Sequence, residues 1–335
     1  MNQYNRTTNN SQEKERLNLE IGPTAQMMVA NVVFANAAST PFSRVAALQF
    51  LQLLVNKFGA SSEIVATDRN LAQYVQDLVL ENATNQDSTQ VERIYQVLAY
   101  LTTAALARCD PSDRDMVSLM LTSISNPRVG KKVAQSFRML LAPSEVLKKE
   151  NFALVRPLRQ GRLYSYAVAN IIAQWRLITD LVSKSNHLIA LAGIVNFLEP
   201  SVYLDDVETI LPLLLEGTNI QNDDWTKLAC ITCIRTLVPL RPEVITSHLD
   251  SVINRMTDRT RNTYFSPSDS NASARAAAVD VLALLTKHVE VNELLKRKTK
   301  VMVELDIAVD DVSMVVRDRA QRCKLSWFNL VIVAK

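Results

Sequence analysis

Glycine is scarce in this chain, whose 335 residues include only six glycines. β-Sandwiches and doubly wound sheets use many glycine-rich turns, so this scarcity favours an all-helical protein. The six glycines form neither a G-x-G-x-x-G nor a G-x-x-x-x-G-K pattern, and the common phosphate-binding loops are therefore missing. Hydrophobic residues make up 48% of the chain, which is enough for a large core.

Cysteine is also scarce, with four residues in the chain. Four cysteines are too few for a disulfide framework of this size, so we expect a reducing compartment. Cys230 and Cys233 are spaced to share a metal on one helix, yet no second cysteine pair or histidine accompanies them. We expect both thiols to lie in the core, and we expect no metal, no cofactor and no catalytic residue.

Charge excess and long apolar runs are missing as well. The formal net charge is +3, which is weak for a dedicated nucleic-acid binder. No run of about 18 apolar residues occurs, so we expect no membrane-spanning segment. Residues 1–20 are polar, lack the apolar core of a signal peptide, and are expected to be disordered.

The chain contains a repeat with a period near forty residues. Seven frames begin at residues 44, 91, 131, 187, 227, 275 and 317, and apolar or small residues occupy offsets 3, 6 and 10 of each frame. These offsets share one side of a 3.6-residue helix. The residues at the three offsets are Ala47, Phe50 and Leu54; Ile94, Val97 and Leu101; Ala134, Phe137 and Leu141; Ala190, Gly193 and Phe197; Cys230, Cys233 and Leu237; Ala278, Val281 and Leu285; and Ala320, Cys323 and Trp327.

This period predicts a HEAT or armadillo-type, right-handed, all-α solenoid of about seven helix pairs without a sheet. We expect the array to span residues 21–335 and to carry a flexible insertion at residues 261–273. Pro157 and Gly161 are expected to interrupt helical structure between the third and fourth frames.

The last helical stretch, residues 310–330, has two stripes. Val312, Val316, Ala320, Cys323, Trp327 and Leu330 form an apolar arc that should face the preceding repeat. Arg317, Gln321, Lys324 and Phe328 form a second stripe at helical spacing. Arginine and exposed aromatic residues are enriched at interfaces, so this stripe is a candidate partner-binding surface. The alternative is a polar cap at the end of the array.

Seven segments in a fixed order carry a family resemblance. They are YQVLAYLTTAALARCDP, VAQSFRMLLAPSEVL, LRQGRLYSYAV, SNHLIALAGIVNFL, TILPLLLEGTN, LACITCIRTLV and DDVSMVVRDRAQRCKLSWFNL. Together they resemble the C-terminal HEAT region of the methyl-methanesulfonate-sensitivity (MMS-nineteen) adaptors of cytosolic iron–sulfur protein assembly. The family proteins are much longer, so the resemblance implies that this chain corresponds to their C-terminal portion.

The resemblance implies a non-catalytic scaffold in the cytoplasm and nucleus. Its expected partners are an iron–sulfur assembly protein of the MIP18 type, a WD40 propeller and iron–sulfur apoproteins that include DNA repair and replication enzymes. The LRQGRL stretch departs at Gly161 and Tyr164 from the family's longer basic and aromatic motif. Arg159 and Arg162 of this stretch are further candidate partner-binding residues.

Two other functions remain open from the sequence. A nuclear-transport-type HEAT adaptor shares the repeat class. A HEAT-like DNA glycosylase would need a basic concave face and a catalytic acid beside it. The repeat alone does not distinguish these proteins, because one fold can carry many functions.

Overall fold

The structure is a computed structural model that describes residues 41–59, 63–64, 69–70, 75–77, 79, 88–261 and 269–330. The segment predicted to be disordered, residues 1–20, lies outside these ranges, and that expectation stays a prediction. The predicted array comprises two units, residues 1–197 and 198–335. No helix in the described ranges is long and apolar enough to cross a membrane.

Helices dominate unit 1. Its α-helices are α1 (Pro41–Phe58), α2 (Ser88–Arg108), α3 (Asp113–Ser123), α4 (Gly130–Leu141), α5 (Arg159–Leu163), α6 (Ala169–Leu177) and α7 (Leu181–Val195). A 3₁₀ turn spans Lys149–Asn151, and a π-helical turn, Tyr164–Val168, joins α5 to α6. The repeat frames lie on α1, α2, α4 and α7, and segments of unequal length connect these helices.

Four helices of unit 1 form a continuous layer in which α1 packs on α2, α2 on α4, and α4 on α7. The contact between α4 and α7 is close because Gly193 faces the backbone of α4. A Cβ at Gly193 would lie 2.8 Å from the Arg138 nitrogen, so any larger residue would push these helices apart. Asp180 begins α7 by accepting a hydrogen bond from the Ser183 N–H at 2.8 Å.

The predicted absence of a sheet is wrong in one small region. Two-residue strands β1 (Glu63–Ile64) and β2 (Arg69–Asn70) pair in antiparallel fashion, with Glu63 opposite Asn70. A ladder this short forms within a connecting segment and leaves the helical class unchanged. A period of helical residues carries no information about such a local pairing.

The described residues of unit 2 form three successive helix pairs, with a short additional helix before the second pair and another before the third. Its α-helices are α8 (Val207–Gly217), α9 (Asp224–Leu240), α10 (Pro242–Ser247), α11 (Leu249–Thr260), α12 (Asp269–His288), α13 (Val291–Leu295), α14 (Lys298–Val309) and α15 (Met314–Phe328). Two 3₁₀ turns, Pro200–Val202 and Leu204–Asp206, precede α8. One layer stacks α9, α12 and α15, and the other stacks α8, α11 and α14.

Six of the seven repeat frames occupy the predicted side of their helices. All three offset residues are buried in the frames that begin at 91, 131, 227, 275 and 317. In the frame at 187, Ala190 and Gly193 are buried and Phe197 is partly exposed. In each unit, the offset pattern therefore identifies the helices whose side chains form the core.

The frame at residue 44 is wrong by one residue. Phe50 is exposed, whereas Leu48, Leu51 and Val55 are buried. The stretch RVAALQFLQLL carries apolar residues on two adjacent stripes, so helical spacing alone permits either register.

Two predicted interruptions are corrected by the helix bounds. Helical structure continues through Gly161, which lies inside α5, and only Pro157 lies outside the helix. The predicted insertion at 261–273 is shorter than expected, because α12 already begins at Asp269. Residues 262–268 lie outside the described ranges.

Candidate functional site

The last helix, α15, buries the apolar arc that its sequence predicts. Val316, Ala320, Cys323 and Trp327 have no exposed surface. The indole N–H of Trp327 donates a hydrogen bond to the Leu282 carbonyl of α12 at 2.9 Å. The polar atom of this large side chain is thus satisfied in the core, and Trp327 joins α15 to the preceding helix pair.

Val312 is the exception, because it is exposed rather than buried. It precedes α15, which begins at Met314, so helical spacing does not place it on the buried arc. The neighbouring Asp311 is the buried residue of this turn. Its carboxylate accepts a hydrogen bond from the Ser313 N–H at 2.7 Å and forms two hydrogen bonds with the Arg275 guanidinium, at 2.7 and 2.9 Å.

The second predicted stripe faces outward, and its four members differ in their contacts. Gln321 and Phe328 are exposed. Arg317 folds back and donates to the Asp311 and Val312 carbonyls at 2.7 and 3.0 Å. Lys324 forms an ion pair with Asp306 of α14. Contacts within the chain therefore hold two of the four side chains, Arg317 and Lys324, in position.

A lysine holds the end of this stripe in place. The Lys298 ammonium of α14 lies 5.7 Å from the centre of the Phe328 ring. The same ammonium donates hydrogen bonds to the Phe328 and Leu330 carbonyls, at 2.8 and 3.1 Å. A cation at a helix C-terminus satisfies the free carbonyls there, and it also orients the ring, which remains 67% exposed.

Helix α14 extends this surface with apolar residues that the sequence analysis did not identify. Val303 and Ile307 are exposed and flank Asp306, the partner of Lys324. We call the exposed surface formed by Val303, Ile307, Leu325, Phe328 and the Asp306–Lys324 pair the terminal face. The sequence of α14, KTKVMVELDIAV, already indicates exposed apolar residues, because it contains more of them than one side of a helix can bury.

Arg159 and Arg162 lie in unit 1, at the start of α5. The Arg162 guanidinium forms two hydrogen bonds with the buried Asp113 carboxylate, at 2.8 and 3.1 Å. This contact raises the pKa of Arg162, and it connects α5 to the first turn of α3. Arg159 is partly buried, and this burial lowers the pKa of its guanidinium. Arg162 thus has a structural contact within unit 1.

Cys230 and Cys233 are buried and free, as the core interpretation predicts. Burial raises the pKa of the Cys230 thiol well above its ordinary value and that of the Cys233 thiol to about 12. Their sulfur atoms pack in the core, where the apolar surroundings disfavour the thiolate form. Among the described residues, no group of three or more His, Cys, Asp or Glu side chains could hold a metal ion.

Helices α9, α12 and α15 also line an open groove. Arg235 of α9 and Arg319 of α15 both contact the Asp280 carboxylate of α12, at 3.3 and 2.6 Å. Thr232, Ser273 and Ala276 lie between them. This arrangement can recognise a polar or charged group of a partner, because the arginines retain further hydrogen-bond donors.

Comparison with known proteins identifies relatives over most of the chain. A family model described as "RNAPII transcription regulator C-terminal" (MMS19_C) matches residues 13–286. The "MMS19 nucleotide excision repair protein homolog" of Homo sapiens is 26% identical over 314 residues, which are 93% of this chain and 29% of the relative. The "DNA repair/transcription protein mms19" of Schizosaccharomyces pombe is 23% identical over 320 residues, 94% of this chain and 29% of the relative. The chain thus spans about three tenths of the length of these relatives.

Solved structures show the same fold. The crystal structure of Kap121p has a TM-score of 0.54 at 11% identity, and the match covers 90% of this chain and 28% of that one. A designed armadillo repeat protein has a TM-score of 0.50 at 11% identity, with 77% of this chain and all of the designed chain covered. The predicted HEAT or armadillo-type, all-α fold class is confirmed.

Proposed function

Because the chain belongs to the MMS19 C-terminal family, we propose that it is a non-catalytic adaptor in cytosolic iron–sulfur protein assembly. It docks an assembly protein of the MIP18 type and a WD40 propeller, so that clusters reach apoproteins that include DNA repair and replication enzymes. It acts in the cytoplasm and the nucleus, binds no nucleic acid directly, and needs no metal or cofactor of its own.

The terminal face is the observation that carries this proposal. Its four large apolar side chains are exposed on two adjacent helices and surround an ion pair at the surface. Exposed apolar residues that cluster on one surface mark sites of protein contact, and an aromatic residue in such a cluster often contributes most of the binding energy. We therefore assign partner docking to the terminal face, which includes Phe328 of the predicted stripe, and to Gln321 one helical turn before Leu325.

A rigid backbone supports a scaffold role. Trp327 and the buried Arg275–Asp311 pair fix α15 against α12, so the terminal face is already ordered before a partner binds. A partner then binds without the entropic cost of ordering these helices. Arg317 and Lys324 contribute through their contacts within the chain, which hold the stripe in position.

The alternatives require features of a different kind. A DNA glycosylase needs a pocket that holds an extruded base beside a catalytic acid. In the groove of unit 2, the two lining arginines, Arg235 and Arg319, bind the Asp280 carboxylate, and none of the described residues that line the groove is an Asp or a Glu. A nuclear-transport adaptor would share the fold, and its distinction from the present proposal rests on the identity of the partner.

Binding of the purified chain to the purified MIP18-type protein and WD40 propeller tests the proposal. The double variant Phe328→Asp and Lys324→Glu should weaken this binding at least about tenfold, since it removes an apolar anchor and reverses a neighbouring charge. The melting temperature should remain nearly unchanged, because exposed ion pairs contribute about 0–1 kcal/mol. Interferometry with an immobilised chain measures the affinity, and calorimetry measures the melting temperature.

A matched control comes from the same unit. Leu240→Asp with Lys287→Glu changes one exposed apolar residue and one exposed lysine outside the terminal face, and it should leave binding unchanged. Equal binding by the parent and the Phe328 variant would refute docking through the terminal face. If the parent chain binds neither protein, the adaptor proposal is refuted. Salt-sensitive binding to duplex DNA would favour a nucleic-acid function.

A further inference from the structure

Unit 1 displays an apolar segment that the function proposed above does not use. Residues 152–158, which we call the display segment, connect the 3₁₀ turn to α5. Phe152 is 86% exposed and Leu158 is 73% exposed, and Leu154 and Val155 between them are also exposed. Four large apolar side chains within seven consecutive residues form a continuous exposed patch rather than scattered surface residues.

A buried side chain forms hydrogen bonds with the backbone of this segment. The Asn56 amide donates to the Leu154 carbonyl at 2.9 Å and accepts from the Leu154 N–H at 2.8 Å. Asn56 lies in α1 and is almost completely buried. The Arg156 N–H donates to the Ala107 carbonyl at 2.7 Å. The display segment is therefore fixed to α1 and α2, although its side chains lie at the surface.

Phe152 adopts a backbone conformation that its residue type rarely takes. Its φ is +55°, in the left-handed region that favours glycine or asparagine after a helical turn. Burial does not offset the strain, because the ring is exposed. A strained conformation held by the surrounding structure is a common feature of functional sites.

One lysine lies beside the exposed ring, and further exposed basic residues are close to it in the sequence. The Lys57 ammonium lies 6.0 Å from the centre of the Phe152 ring. Lys149 and Arg156 are exposed on either side of Phe152. The exposed Glu145 forms an ion pair with Lys148, and Glu150 is a second exposed acid in this stretch. The patch is thus apolar at its centre and carries a positive excess at its edges.

We propose that the display segment is a second docking surface, which binds an acidic protein segment through Phe152 and Leu158. Apolar side chains of the partner cover these two residues, and carboxylates of the partner pair with Lys57, Lys149 and Arg156. Asn56 fixes the backbone of the segment before the partner binds, and this lowers the entropic cost of ordering the segment on binding. This inference does not depend on the adaptor proposal or on the terminal face.

A protein segment fits the display segment better than a membrane surface does. The exposed Glu150 would oppose an anionic lipid surface, whereas a basic residue of a protein partner could pair with it. Leu154 and Val155 retain part of their surface beside the two main anchors, as expected for a shallow contact with a polypeptide. The fixed backbone also prevents the rearrangement by which a loop would insert into lipid.

The test uses the full chain and a fluorescent peptide that alternates glutamate with leucine and phenylalanine. Fluorescence anisotropy should show binding to the parent chain. The double variant Phe152→Ser and Leu158→Ser should bind at least about tenfold more weakly, because it removes both apolar anchors. Lys149→Glu with Arg156→Glu should weaken binding similarly, and added salt should reduce this difference.

Two further variants separate docking from stability. Leu177→Ser with Leu181→Ser changes two leucines of unit 1 that are 76% and 78% exposed and lie outside the segment, and it should not affect binding. Phe152→Gly removes the ring while accepting the left-handed backbone, so the melting temperature should stay equal or rise while binding falls.

Four outcomes would overturn the proposal. The parent chain could fail to bind the acidic peptide, or it could bind equally well a peptide with lysine in place of glutamate. The variants of the display segment could bind as well as the parent does. Vesicles of phosphatidylcholine and phosphatidylserine could also bind the chain and lose binding with Phe152→Ser and Leu158→Ser, which would assign the surface to a membrane.

Discussion

The two units of this protein use the same type of helix layer but connect and secure their helices differently. In unit 2, arginine–carboxylate pairs link helices of successive repeats, as in Arg275 with Asp311, Arg261 with Glu304, and Arg297 with Asp250. In unit 1, the connections between α4 and α7 are longer and include a 3₁₀ turn, the display segment and a π-helical turn. In unit 2, the regular repeats thus coincide with ion pairs between successive helix pairs.

The two units also differ in where they expose large apolar side chains. Unit 2 exposes much of its large apolar surface on the helices of its last pair, where no further described helix covers α14 and α15. Unit 1 exposes it partly on helices, as at Phe50 of α1 and Leu181 of α7, and partly in the display segment, which lies outside the helices. A surface on helices is fixed by packing, whereas the display segment requires a specific polar anchor such as Asn56.

The largest expected effect concerns one tryptophan from each unit. Trp327→Ala in unit 2 should lower the free energy of unfolding by about 3–5 kcal/mol, as for other large buried aromatic residues. Trp175→Ala in unit 1 should cost about 1–2 kcal/mol, because this side chain is partly exposed and buries less area. Urea denaturation of the two variants measures both values, and equal losses would contradict the assigned burial.

A smaller loss of stability is expected from removing the arginine of a bidentate arginine–aspartate pair, and the loss should differ between the two units. In unit 2, the Arg275 and Asp311 side chains are 4% and 1% exposed. Arg275→Met should therefore destabilise the protein by about 3 kcal/mol, since it leaves a buried carboxylate without its partner. A double variant that also carries Asp311→Asn should recover part of this loss.

The corresponding pair in unit 1 should tolerate the same change better. Arg162 is 41% exposed, so water can approach Asp113 when the guanidinium is removed. Asp113 also lies in the first turn of α3, where free N–H groups favour a carboxylate. We expect Arg162→Met to cost about 1–2 kcal/mol in urea denaturation. A loss as large as that of Arg275→Met would mean that solvent exposure does not distinguish the two pairs.

The sequence predicted the helix layer well because its information is local. Offsets of 3, 6 and 10 identified the buried sides of six helices and the burial of Trp327. The error at Phe50 arose where two adjacent stripes are both apolar, and the error at Val312 arose because it lies before the helix begins. Both errors concern the register or limits of a helix rather than its existence.

Side-chain partners across long separations were not predictable. Asp113 is 49 residues from Arg162, and Asn56 is 98 residues from Leu154. No periodic pattern identifies such partners, because they depend on which helices become neighbours. For the same reason, Arg162 could be identified as a conspicuous cation but not as the partner of a buried carboxylate.

At neutral pH, the smallest expected effect concerns the thiols, and it also differs between the units. Unit 2 contains Cys230, Cys233 and Cys323, all buried, whereas unit 1 contains the partly exposed Cys109. Burial raises the pKa of Cys233 and of Cys323 to about 12. An unfolded thiol ionises near pH 8.5, so these groups bind protons more tightly in the folded state.

The sign of the pH dependence follows from these raised pKa values. The contribution of Cys233 and of Cys323 to stability is fully present below about pH 8.5 and is lost as the pH rises toward about 12. The triple variant Cys230→Ala, Cys233→Ala and Cys323→Ala should therefore lose less stability than the parent between pH 8 and 10. Cys109→Ala should follow the parent, because this change leaves the three buried thiols in place. Urea denaturation at each pH measures the slopes, and comparison with the parent cancels the ionisation of tyrosine and lysine. Parallel slopes for the parent and the triple variant would contradict the burial of these three thiols.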